Sequence, residues 1–170
     1  MKAKFNYIDT TDAANLENLT EVLIKINRSA AVVKGGRRFS FSALSIAGDR
    51  AGIVGHGFGK ARQVPSAIEK AAKDARKHMM HVPLDENGTI PHEVTGRFCG
   101  AVIRLIPASA GTGIIAGSSV RTVCEQAGVK NILTKSFGST NPINLVKATF
   151  HAFAQLKTAQ EISELRGITL

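Results

Sequence analysis

The chain has 170 residues, 44% of them hydrophobic and 5% aromatic, with no Trp and a single Tyr. That apolar content is enough for one ordinary core or two small ones, which excludes a disordered tail, and the few rings exclude an extended stacking surface for single-stranded bases. The formal charge is +9, and residues 21–84 hold twelve basic against four acidic side chains, so nearly all of the surplus sits in one segment.

Residues 1–20 show little periodicity and read as a leader, with a turn at 9–12 and a short helix at 13–19. They carry acids and no apolar core, which is unlike a secretory signal. No apolar run approaches ~20 residues, so no membrane-spanning helix is expected. Cys99 and Cys124 form no CxxC pair and read as buried free thiols of a reducing compartment, which points to the cytoplasm.

A first domain is expected over 21–84. Val22, Ile24 and Ile26 alternate with polar residues as a half-buried strand, with an irregularity near Ser29 and Ala30. Residues 34–38, Lys-Gly-Gly-Arg-Arg, read as a basic turn whose glycines allow positive φ and close backbone approach. Phe39, Phe41 and Ala43 then share a strand face, but the apolar phase switches at Leu44 and Ile46. A bulge near Ala43 or burial on both faces would produce that switch. A turn at 48–52 leads to a third strand in which Gly55, Gly57 and Gly59 share one face. Three glycines in register imply a surface kept clear for a bulky neighbour, most simply a polyanion. Pro65 opens a helix with Ile68, Ala71, Ala72, Ala75 and Met79 on one side and Lys70, Lys73 and Lys77 on the other.

Residues 85–93 are polar, lie between Pro83 and Pro91, and read as a linker. A second domain, 94–157, is expected to be β-α-β-α. Residues 94–108 make one or two strands, and a glycine-rich loop at 108–117 leads into a helix capped by Ser118 or Ser119. Residues 131–137 make a strand, and Pro142 opens a second, largely buried helix. Residues 158–170 read as a tail helix. The fold class is α+β, two small α/β sandwich domains.

The candidate chemistry is that of binding. GHGFGK at 55–60 fails the Walker pattern, because Val54 holds the first glycine position and Ala61 follows the lysine. His78 and His81 are spaced i, i+3 without a third ligand, and His92–Glu93 lacks the second His of HExxH. Ser118 and Ser119 lie in no GxSxG elbow. No catalytic, metal or cofactor residue is assigned. Lys34, Arg37, Arg38, Lys60, Arg62, Lys70, Lys73 and Lys77, with Arg28, are confined to a hairpin tip, a strand end and one helix face, as a phosphate-binding surface requires. The loop before Ser118 either cradles an anion at the helix N-terminus, packs strand on helix, or meets a neighbour. The strand–strand–strand–helix order is that of double-stranded RNA-binding domains, which read shape and backbone.

Four motifs in order, VKGGRRFSFSAL, IVGHGFGKARQVPSAI, PASAGTGIIAG and KSFGSTNPINLVKAT, resemble the bacterial-type small-subunit ribosomal protein family S-five, from about residue 21 to 167. The resemblance implies a non-enzymatic constituent of the small ribosomal subunit on a cytoplasmic or organellar ribosome. It implies a double-stranded-RNA-binding-like first domain and a second domain with a left-handed crossover. It implies contact with ribosomal RNA at the head–body junction, neighbours S-four and S-eight, a nearby mRNA path, support of translational accuracy, and no membrane or homo-oligomer. Carried over, Lys34, Gly35, Gly36, Arg37 and Arg38 correspond to the loop that reaches the head RNA. By the same resemblance, Gly111, Thr112, Gly113, Gly117 and Arg121 correspond to the region near the S-four interface. Arg50 departs from the family's usual glycine, so an unchanged turn would hold it at positive φ at a cost of ~1 kcal/mol. The alternative is a stand-alone double-stranded RNA regulator.

Overall fold

A computed structural model describes residues 7–8 and 19–167. The turn expected at 9–12, all but the last residue of the helix expected at 13–19, and the final three residues of the tail lie outside them. The chain is α+β, an antiparallel sheet with one helix followed by a mixed sheet with its own helices.

The first sheet has the order β1 (Thr20–Val33), β2 (Gly36–Gly48), β3 (Ile53–Ala61), β4 (Met79–His81), all antiparallel. Helix α1 (Val64–Lys77) returns along β3. Three strands and a longer helix were expected. The helix instead stops at Lys77, and Met79 is buried on a fourth strand rather than on the helix. His78 is the helix C-cap and His81 is an exposed strand residue, so the two histidines do not share a helix face.

Burial on both faces explains the apolar phase switch in β2. Ala43 packs with Ala67 and Ala71 of α1, whereas Leu44, Ile46 and Val54 join the core of the second domain. The bulge lies in β1 between Leu23 and Lys25, and pairing is regular through Ser29 and Ala30. The bulge turns the strand over. Val22 pairs with Ile46 on the second-domain side, and Ile26 pairs with Ala43 on the helix side.

The glycines of β3 serve α1. A Cβ on Gly57 would lie 2.0 Å from the Ala71 carbonyl oxygen, and Gly55 and Gly59 meet the Ala75 and Ala67 oxygens at 2.4 and 2.2 Å. The bulky neighbour is therefore the chain's own helix, and no polyanion reaches that face. The small residues on both sides bring backbone against backbone.

The second sheet has the order β5 (Val94–Phe98), β6 (Ala101–Pro107), β8 (Ile132–Gly138), β7 (Ile114–Ile115), with β7 parallel to β8. Strands β5 and β6 form a hairpin through Cys99, which has φ 50 and is exposed, not buried as expected. Cys124 is buried, and burial pushes its thiol up to about 12, so it stays protonated. Helices α2 (Ser118–Gln126) and α3 (Pro142–Phe153) join this sheet in the common core, and α4 (Ala159–Arg166) follows with a Thr158–Glu161 capping box. The glycine–alanine contact recurs here: a Cβ on Gly96 would sit 2.0 Å from the Ala148 oxygen of α3.

Residues 85–93 are pinned rather than slack. Ile90 is buried, and the Gly88 carbonyl accepts from the Lys130 and Asn131 amides at 2.7 and 3.2 Å. Between the sheets, Gly48 abuts the Gln126 backbone, and the Arg50 amide donates to the Gln126 oxygen at 3.1 Å. Arg50 does keep positive φ, at 59°. Gly128, at φ +83°, leaves room for the Arg50 carbonyl, which a Cβ would meet at 2.3 Å.

Gly57→Ala should lower unfolding stability by ~3 kcal/mol or more, because neither backbone can give way. Gly35→Ala, where a Cβ meets nothing within 4 Å, should stay within ~0.5 kcal/mol. Urea titration of both variants checks the contrast. The His56 ring lies 4.4 Å from that of Phe150 across the junction. Burial first, then His78 and Lys147, lower its pKa to about 4. The unfolded chain takes up this proton below pH ~6.5 and the folded chain does not. Stability should therefore fall as pH drops from ~6.5 towards 4, by up to ~3 kcal/mol from this group. Unfolding measured against pH should show a shallower acid loss in His56→Phe.

Candidate nucleic-acid interface

Strand β3 pairs with β2 only as far as Phe41, so residues 29–33 and 36–40 continue as a two-stranded arm. At ~3.3 Å per residue it projects ~17 Å beyond the sheet. A two-residue turn, Lys34 and Gly35, closes it, tighter than the five-residue turn expected. Gly36 has φ +146°, and a Cβ on Gly35 or Gly36 meets nothing within 4 Å, so the tip backbone is bare. Arg37 and Arg38 pair with Val32 and Ala31 and point to opposite faces of the arm. Arg28 sits on the arm's base with its guanidinium 3.9 Å over the Phe39 ring. Lys34, Arg37 and Arg38 make no ion pair among the described residues.

At the foot of the arm, Lys60, Arg62 and Lys70 line an open cleft with Ser40 and Ser66, where β3 hands over to the start of α1. The Lys70 ammonium lies 3.5 Å from the Lys60 carbonyl oxygen. Lys73 and Lys77 continue the stripe along α1, away from the arm. Lys73 pairs with Glu69 at 2.7 Å and holds that carboxyl below its ordinary range. An exposed pair of this kind is weak and screened by salt, so Lys73 is only partly committed. The structure thus gathers the predicted cations into a tip group, a cleft group and a helix stripe.

The glycine loop is organised from within. The buried Asn131 side-chain oxygen accepts from the Gly111 and Gly113 amides at 3.1 and 3.0 Å, and its nitrogen donates to the Asn87 carbonyl at 3.0 Å. Those two amides are therefore not free to cradle an anion. Gly111 and Gly113 have φ +90° and +74°, with open space where a Cβ would go. Glycine is needed there for backbone shape, not for close approach. Gly117 caps α2, so Ser118 and Ser119 lie inside the helix rather than at its cap. Thr112 follows Gly111 in the loop, and Arg121 is exposed on α2. Sequence reasoning missed Asn131; an Asn directly before a strand, 14 residues after the last loop glycine, carries no pattern of its own.

Residues 19–83 match the family model for ribosomal protein S5, N-terminal domain, and residues 96–166 match that for ribosomal protein S5, C-terminal domain. The small ribosomal subunit protein uS5 of Rhodopirellula baltica is 55% identical over 150 residues, 88% of this chain and 84% of that one. This chain belongs to the ribosomal protein S5 family. The uS5 protein of Flavobacterium psychrophilum is 46% identical over the whole of this chain and 97% of its own, and that of Treponema denticola is 53% identical over 88% of this chain and 86% of its own. The S5 family is a structural, non-enzymatic family of the small subunit. Among the described residues no group of three or more His, Cys, Asp or Glu is placed to hold a metal, and no helix is long and apolar enough to cross a membrane.

Asn131→Ala should cost ~1–3 kcal/mol, because it strands the Gly111 and Gly113 amides. Hydrogen exchange at those two amides should accelerate more than elsewhere in the second domain.

Proposed function

We propose that this chain is a structural constituent of the small ribosomal subunit that binds its ribosomal RNA by neutralising phosphates. The observation that carries the reading is the arm. Its tip places three unpaired cations beyond the folded body, on a bare glycine backbone that can approach a sugar–phosphate chain closely. The foot of the arm adds Lys60, Arg62 and Lys70, and Arg28 keeps its outward N–H groups while stacked on Phe39.

The first domain acts as a double-stranded-RNA-binding-like unit that reads shape and backbone, with β4 as an addition to the three-strand pattern. The unit β7–α2–β8 is the one to which the left-handed crossover of the family is assigned. The arm reaches head RNA at the head–body junction, close to the mRNA path. The glycine loop with Gly111, Thr112, Gly113 and Gly117, together with Arg121, faces S-four, and S-eight is a second neighbour. The internal capping by Asn131 favours a shaped protein-facing surface over an anion cradle. Through these contacts the chain supports translational accuracy on a cytoplasmic ribosome.

Replacing Lys34, Arg37 and Arg38 with Ala should weaken binding to small-subunit RNA and flatten the slope of log K against log salt by about one unit per lost phosphate contact. Filter binding across a salt series reads this; an unchanged slope would sink the assignment.

A further inference from the structure

A second recess lies away from the arm, at the junction of the two domains. Strand β4 pairs with β3 only at Ile53, Val54 and Gly55, so the edge of β3 beyond them is open. The Phe58 amide on that edge is capped by Asp74 of α1 at 2.9 Å. Between this edge, α1, β5 and α3 lies a cavity of about 240 Å³. Its walls are rings: His56, Phe58, His78 and Phe98, with Tyr7 edge-on to His78 at 5.3 Å. Lys147, half-buried, holds its ammonium 5.1 Å over the Phe98 ring. The His56 Nδ1 atom is buried and has no hydrogen-bond partner.

We propose that this cavity is a nucleotide site that takes one nucleobase against its rings, with the phosphate on Lys147. Flat aromatic walls select a flat π-system. A purely apolar ligand would leave the Lys147 ammonium without a counter-charge. A small carboxylate would suit Lys147 but brings no π-face for the rings. A nucleobase brings a π-face and an edge with both donors and acceptors, and its phosphate suits the one cation present. The volume lies below the ~300 Å³ of drug-sized pockets, so it holds one base and not a stacked pair. This is a single recessed seat, consistent with a chain too poor in aromatics for a stacking platform. None of its residues belongs to the arm or the cleft, so it stands or falls apart from the phosphate-binding reading.

Such a nucleotide is either free or extruded from the bound RNA. The full chain is titrated with AMP and UMP while the ring C–H signals of His56 and His78 are followed by NMR, and base protection is mapped in its complex with small-subunit RNA. Saturable shifts that Lys147→Ala weakens about tenfold or more support the site. Protection of a base that is lost in Lys147→Ala also supports it and assigns the nucleotide to the RNA; shifts without such protection assign it to a free nucleotide. Phe98→Ala, which removes one ring wall, should weaken either signal at the same two histidine reporters. If there is no saturable shift up to about 10 mM and no Lys147-dependent protection, or if both variants behave as wild type, the proposal is overturned.

Discussion

The contact on which the structure depends is the backbone-to-backbone seat of α1 on β3. Gly55, Gly57 and Gly59 face Ala67, Ala71 and Ala75 so closely that no side chain fits between them. Close approach of this kind gains dispersion along a whole helix face and leaves the lysines of α1 on the opposite side. It also fixes which face of the first sheet remains for the second domain. Leu44, Ile46 and Val54 are then free to enter a core shared with Val94, Ile103, Leu105 and Phe150. Gly96 against Ala148 repeats the device in the second domain.

A sheet covered on both faces is a firm base for the arm. The strands of the arm are the continuation of β1 and β2, whose inner halves are clamped between helix and second domain. The junction is tied again at the far end, where Gly48, Arg50, Gln126 and Gly128 interlock through their backbones. Arg50 accepts a left-handed backbone there, at ~1 kcal/mol, because its amide donates to the Gln126 carbonyl of α2 and its own carbonyl packs against Gly128. Charge beyond the protein body and stiffness within it are what a phosphate-binding arm needs.

Much of this was legible in the sequence. Period-two alternation located the strands, the surplus of cations marked the exposed arm, cleft and helix stripe, and the phase switch at Leu44 pointed to two buried faces. The glycine stripe was legible as a close approach but not as to what approaches. Sequence spacing gives the clear face of β3, whereas the partner is set by where α1 folds back. Met79 fits helical spacing, yet pairing with Gly55 draws it into a strand, since hydrogen bonding to an open sheet edge outweighs one more residue of helix. The bulge at Leu23–Lys25 has no local signal, because it answers to burial on both sides of β1. Asn131 was invisible for a similar reason. Its role is to satisfy amides 18 and 20 residues away, and nothing in its neighbours announces that.

The most direct test of the account is sedimentation of the chain in cell lysate through high-salt sucrose gradients. Cofractionation with the small ribosomal subunit after the washes is the predicted result. A chain found only in the free pool, with the small subunit intact beside it, would contradict the account.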